Sequence, residues 1–323
     1  MATLGRLAEP QPTARPSGSW TAPSVAVRAL YALAAVGGGV LIAGFWNYKL
    51  VDGFGRGFVA TNTIGNPDQL DQLGNSFTSN GMLFGLIFAA VAGLAATLTA
   101  CNCVVFAMLP GLACSTDRSA SRRTALKALG RFAAGVLAVG VAYGLYVGTL
   151  GSDVKAFNAH RLPQAEIVFT ALGALMIAWS VIEFGFLQRI TDRVPASFRE
   201  WASSPMTRAT VMGLMVGSFA VGRPYPVFRD LLTYAAASHN PFYGALVMGV
   251  QGLGQIALMV AIFLLVIWLF GARLAQWVTE TPNQPALITA IALMAGGSYF
   301  VFYWGLALVY HAGSWGFKLG LYS

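Results

Sequence analysis

The chain has 323 residues, of which 56% are hydrophobic and only 10% charged. A water-soluble domain carries roughly 25% charged residues, so a soluble globule is excluded. The net charge of +8 does not point to nucleic acid, because the basic residues fall in short stretches between apolar runs, where they set membrane topology.

Residues 1–24 are rich in Pro, Ser, Thr and Ala without hydrophobic period, and are read as a disordered cytoplasmic tail. Residues 25–46 are apolar and long enough to span a bilayer. With no small-residue cleavage site after them, they are read as a retained transmembrane helix rather than a signal peptide. Residues 47–80 are polar, with Gly, Asn, Asp and Gln throughout, and form the longest stretch expected outside the membrane. Apolar runs follow near Met82–Leu112, Phe132–Leu150, Ile167–Leu187, Ala209–Tyr234, Tyr243–Phe270 and Leu287–Tyr310. A helix needs about 20 apolar residues to cross, so the expected fold is an all-α polytopic membrane protein with about seven transmembrane helices.

Basic residues assign the sides. Arg6, Arg15 and Arg28 lie in or beside the tail. Arg118, Arg122, Arg123, Lys127 and Arg131 follow the second run, Arg189, Arg193, Arg199 and Arg208 the fourth, and Arg273 the sixth. The other side carries only Lys49, Arg56, Lys155, Arg161 and Lys318. The positive-inside rule then places the N-terminus in the cytoplasm and residues 313–323 outside.

With the first helix set aside, the basic loop at residues 189–208 divides six helices into two groups of three. Three is odd, so residues 81–188 and 209–312 enter from opposite sides, as inverted-topology repeats do. Each half opens with a helix that contains breakers, Pro110-Gly111 in one and Gly222-Arg223-Pro224 in the other. Irregular backbone at membrane depth is tolerated only where protein or a watery cavity satisfies it, so paired breaks point to a central site.

On the segments Thr99-Ala-Cys-Asn-Cys-Val…Leu-Pro-Gly and Gly222-Arg-Pro-Tyr-Pro…Gly252-Leu-Gly254, the chain resembles the CcdA/DsbD family of membrane thiol–disulfide carriers. Among its relatives it looks most like the MauF type of methylamine-utilisation accessory protein. The resemblance spans about Met82 to Tyr310. It implies an accessory role in the maturation or export of a periplasmic redox enzyme, methylamine dehydrogenase in the most specific form. It implies a bacterial inner-membrane location with residues 313–323 in the periplasm, and as partners membrane lipid and a periplasmic client or thioredoxin-like protein, with no cofactor; nucleic acid is set aside on the charge pattern above. One departure stands out: the family draws one cysteine from each half, whereas here the second half has none. Arg223, Pro224 and Tyr225 stand where that cysteine is needed.

The three cysteines are Cys101, Cys103 and Cys114. Residues two apart on a helix point about 200° from each other, so Cys101 and Cys103 do not pair readily. They remain open to two readings, as small packing residues or as thiols that exchange with a partner protein. Glu183, Arg223, Arg229 and Asp230 lie in or near apolar runs, and an intramembrane charge marks a functional interior by default. The expectation is that Arg223 faces the repeat interface and either pairs with Glu183 or binds an anion, with a structural ion pair as the plain alternative. Gln251 and Gln255 share a helix face and are suited to hydrogen bonds between helices, and Gly140, Gly144 and Gly148 to close helix approach. His160, His239 and His311 are too scattered for a metal site. Besides the accessory role, two functions stay open: an electron carrier through Cys101 and Cys103, and a small-solute transporter. Enzymatic activity is the less favoured reading.

Overall fold

The computed structural model describes residues 23–64, 72–97, 122–187, 193–280 and 283–322. Helix α1 is Val25–Gly44, α2 Tyr48–Phe54 and α3 Thr61–Ile64, the last two joined by a π-helical turn over Gly55–Ala60. Helices α4 (Phe77–Thr97), α5 (Arg122–Leu150), α6 (Val154–Ala159) and α7 (Arg161–Glu183) follow. The remaining helices are α8 (Ala196–Ser203), α9 (Pro205–Gly222), α10 (Pro226–Ala236), α11 (Pro241–Glu280), α12 (Asn283–Phe300) and α13 (Trp315–Lys318), with a π-helical turn over Val301–Ala307 extending α12. The described residues contain no strand.

Six helical stretches are long and apolar enough to cross a membrane: Val25–Gly44, Phe77–Thr97, Ala125–Ala159, Arg161–Glu183, Pro241–Val266 and Ala286–Ala307. The chain is therefore a multi-pass membrane protein. The run expected at Ala209–Tyr234 is two helices, α9 and α10, separated by a break. Several sequence-based boundaries move. Helix α5 starts at Arg122, so Lys127 and Arg131 lie on its first turns rather than in a loop. Helix α11 continues through Arg273, which the loop assignment missed, because Gly271 does not interrupt it and no proline follows until Pro282.

The helix ends sort into two groups. The Arg28 guanidinium at the start of α1 donates to the backbone oxygen of Phe184 after α7 at 2.9 Å. Glu183 closes α7 and pairs with Arg208 in the first turn of α9. At the other end, the Tyr322 hydroxyl reaches the carbonyl of Phe45, and Lys49 lies 5.3 Å from the centroid of Phe317. Asn158 bridges to Thr233 at 3.1 Å at that same end of the remaining helices. Part of the segment 47–80, expected outside the membrane, packs on the bundle there: Ala60 is fully buried, and Val59 and Leu73 pack on the core of Phe88, Phe228 and Tyr234.

Glycines set the crossings between the long helices. A Cβ on Gly213 of α9 would overlap the carbonyl oxygen of Phe132 on α5, and one on Gly135 would lie 2.8 Å from the oxygen of Thr210. On the pair α4 and α11, a Cβ on Gly93 would overlap the oxygen of Gln251, and one on Gly254 would lie 2.7 Å from that of Ala90. Between α7 and α12 the glycines face each other, with Cβ positions 2.8 Å and 2.7 Å from the oxygens of Gly297 and Gly173. Lipid gives helices no hydrophobic reason to associate, so this closeness is what dispersion needs. The expected stripe also holds, because a Cβ on Gly140 would come within 3.0 Å of the backbone oxygen of Met248 on α11, and one on Gly148 within 2.6 Å of that of Asn240 just before α11. Gly252 meets only a Val136 methyl at 3.5 Å, an ordinary contact.

Candidate functional site

The break after α9 is written in Gly222-Arg-Pro-Tyr-Pro. A residue that precedes proline is steered out of the helical region. Arg223 and Tyr225 both precede proline, and both are extended, with φ/ψ of −67/116° and −58/129°. Pro226 then opens α10 as its first residue, where the missing N–H costs nothing. This interruption bears out the sequence expectation for the second half. Its expected counterpart at Pro110-Gly111, together with Cys101, Cys103 and Cys114, lies outside the described residues.

A helix that ends inside protein leaves carbonyls needing donors. They are met by Arg161, whose guanidinium donates to Val221 at 2.8 Å, Arg223 at 2.6 Å and Ala220 at 3.4 Å, all backbone oxygens. Its Nη1 also donates to the Tyr143 hydroxyl at 2.7 Å. The rings of Tyr143, Phe157 and Phe228 lie 5.9, 5.5 and 5.6 Å from its carbon. Arg161 is 1% exposed, so its assignment to an outer loop is corrected. The physical reason is the negative end of the α9 dipole, which offers a cation a partner without any carboxylate. The sequence held one signal for this: an arginine opening a helix opposes that helix's own dipole, so its partner had to be elsewhere.

Arg223 is 2% exposed. Its Nη1 donates to Oε1 of Gln255 at 3.3 Å, and Nε2 of Gln251 donates to the same oxygen at 3.3 Å. The two glutamines share a face of α11, as their spacing predicts, but they serve the break rather than helix packing alone. The backbone oxygen of Gln255 in turn accepts from the Thr97 hydroxyl at 2.9 Å. The last described turn of α4, the break and the middle of α11 thus meet in one buried polar cluster, four residues ahead of Cys101 in sequence. Tyr225 is buried beside it, and Pro224 shapes it through the backbone.

Glu183 takes no part. Its carboxylate accepts from the Trp179 indole N–H at 3.0 Å and pairs with Arg208, at the end of the bundle that holds Arg28. The expected Arg223–Glu183 pair is therefore corrected: helix α9 itself brings Arg208 to Glu183, while the break carries Arg223 to α11. His160 is exposed, with Nδ1 3.0 Å from the oxygen of Ala156. His239 and His311 adopt positive φ of 49° and 52° at helix ends. Among the described residues no three His, Cys, Asp or Glu gather as a metal site would require.

Compared with protein-family models, curated proteins and solved structures, the chain matches none.

Proposed function

We propose that the chain is an inner-membrane accessory protein built as an inverted repeat of three helices after α1, which supports maturation or export of a periplasmic redox enzyme. The observation that carries this reading is the interrupted helix at Gly222–Pro226, which places the buried Arg223, not a thiol, at the centre of the second half.

The glycine crossings support the repeat. Exchange α4 with α9, α5 with α11 and α7 with α12, and the α5–α9 crossing at Gly135 and Gly213 becomes the α11–α4 crossing at Gly254 and Gly93. The α7–α12 crossing at Gly173 and Gly297 maps onto itself. The matched glycines are 120 (93 to 213), 119 (135 to 254) and 124 (173 to 297) residues apart. On this reading α9 with α10 is the seventh crossing, and the basic end that holds Arg28, Glu183 and Arg208 faces the cytoplasm.

Subtracting 120 from 223 gives 103, so the repeat sets Arg223 against Cys103 in sequence register. A carrier with one thiol in each half is replaced by a thiol in one half and a guanidinium in the other. Such a protein is suited to help a client rather than to pass electrons alone. Deleting its gene is expected to leave periplasmic redox enzymes, methylamine dehydrogenase first among them, unmatured, and Arg223→Leu is expected to fail to restore them while still inserting in the membrane. Full maturation in the deleted strain refutes the proposal, and so does full rescue by both Arg223→Gln and Arg223→Leu.

The same register favours one second reading, a thiol carrier, because a guanidinium favours the thiolate form of a nearby cysteine. Alkylation in native membranes separates the two. A Cys101 or Cys103 blocked until reduction, or trapped on a partner, makes the protein a carrier; thiols free throughout leave the accessory role.

A further inference from the structure

The basic end of the bundle carries a helix that the function above does not use. Helix α8, Ala196–Ser203, sits between α7 and α9 and is joined to α9 through Ser204, whose hydroxyl caps the first turn of α9 at the N–H of Thr207, 3.2 Å away. Its apolar side chains do not turn inward. Phe198 is 55% and Trp201 58% exposed, and their rings pair at 5.5 Å. Three residues apart, they lie on one face of α8. The exposed cations Lys127, Arg131 and Arg193 share this end, against the exposed acid Glu200. Thr210 of α9 lies beside Gly135 of α5 and Gly213 beside Phe132, and Met206 packs on the core that holds Leu129, so α8 leaves the bundle near the level of Lys127 and Arg131.

We infer that α8 is an interfacial helix, with Phe198 and Trp201 seated in the acyl boundary of the bilayer and the nearby Lys127, Arg131 and Arg193 holding anionic lipid headgroups. Three observations choose the bilayer over a protein partner. The helix emerges where spanning helices reach the membrane surface. Its exposed face consists of the amphipathic aromatics that favour that depth, and the surrounding charge is of the sign that anionic headgroups attract. A docking groove for a protein would need concave apolar lining, and α8 presents a protruding pair instead.

The test uses the full-length protein in phosphatidylcholine vesicles with and without phosphatidylglycerol, and Trp201→Phe as the reference that isolates the Trp201 emission. Brominated acyl chains are expected to quench that emission ~twofold more than aqueous iodide does, as for an indole at the acyl boundary. Phosphatidylglycerol is expected to deepen that quenching, and a Lys127→Gln/Arg193→Gln variant to lose the deepening. Iodide quenching without bromolipid quenching overturns the proposal, because the face is then in water. Quenching by neither also overturns it, because the face is then covered by protein. Equal bromolipid quenching in both vesicle types overturns the headgroup part.

Discussion

Gly213→Ala is expected to cost about 1–3 kcal/mol and to lower the unfolding temperature in detergent. The added methyl would overlap the carbonyl oxygen of Phe132, a backbone atom in mid-helix that has no rotamer by which to retreat. Relief requires α5 and α9 to part, and every dispersion contact along that crossing weakens with them. The control is the same chemical change at Gly130, also on α5, where a Cβ would meet nothing within 4 Å. There the helix gains up to about 1 kcal/mol from reduced backbone freedom of the unfolded chain. Opposite signs from one substitution on two residues of the same crossing pair isolate the steric contact. Destabilisation at both positions would mean that the crossing is not what limits stability.

Arg161→Met is expected to be the more damaging change, at about 3–5 kcal/mol. Methionine fills the space between Tyr143, Phe157 and Phe228, so a cavity is not the cause. The loss is of donors: three backbone oxygens at the end of α9 have no water to turn to inside the bundle. Lysine is expected to rescue only in part, since one ammonium cannot span carbonyls that a planar guanidinium reaches together. Tyr143→Phe removes one of the hydrogen bonds and is expected to cost about 1 kcal/mol. Unfolding in detergent by heat or denaturant gives the order Met, Lys, then Phe at position 143. An Arg161→Met protein as stable as the parent would show that the end of α9 is satisfied some other way.

The two arginines differ in how well the sequence announces them. The break was legible because Arg223-Pro-Tyr-Pro constrains backbone through covalent geometry, which acts on neighbours in sequence. The Gln251–Gln255 face was legible through helical spacing. What Arg223 would meet was not, because its partner lies 32 residues away on α11 and charge alone favoured Glu183. The cap by Arg161 was hidden for the same reason, since the carbonyls it serves are about 60 residues downstream and no side-chain pattern marks an unsatisfied backbone oxygen. The glycines show the reverse case. Each was visible, but which glycines meet, Gly93 with Gly254, Gly135 with Gly213 and Gly173 with Gly297, is shown only by the crossings. The length of α11 was lost because hydropathy reports where lipid ends, not where a helix ends.

Among the described residues, the charged side chains that are fully buried are Arg161 and Arg223. A guanidinium keeps its proton at any physiological pH. The interior these residues line therefore holds guanidinium charge that does not titrate, with peptide and amide oxygens turned toward it. Neither residue can pass a proton across the bilayer. Both still feel the membrane voltage, at about 2.3 kcal/mol per charge for a full traverse of 100 mV. A membrane voltage therefore acts on these two residues through the electric field alone, with no step in which they take up or release a proton.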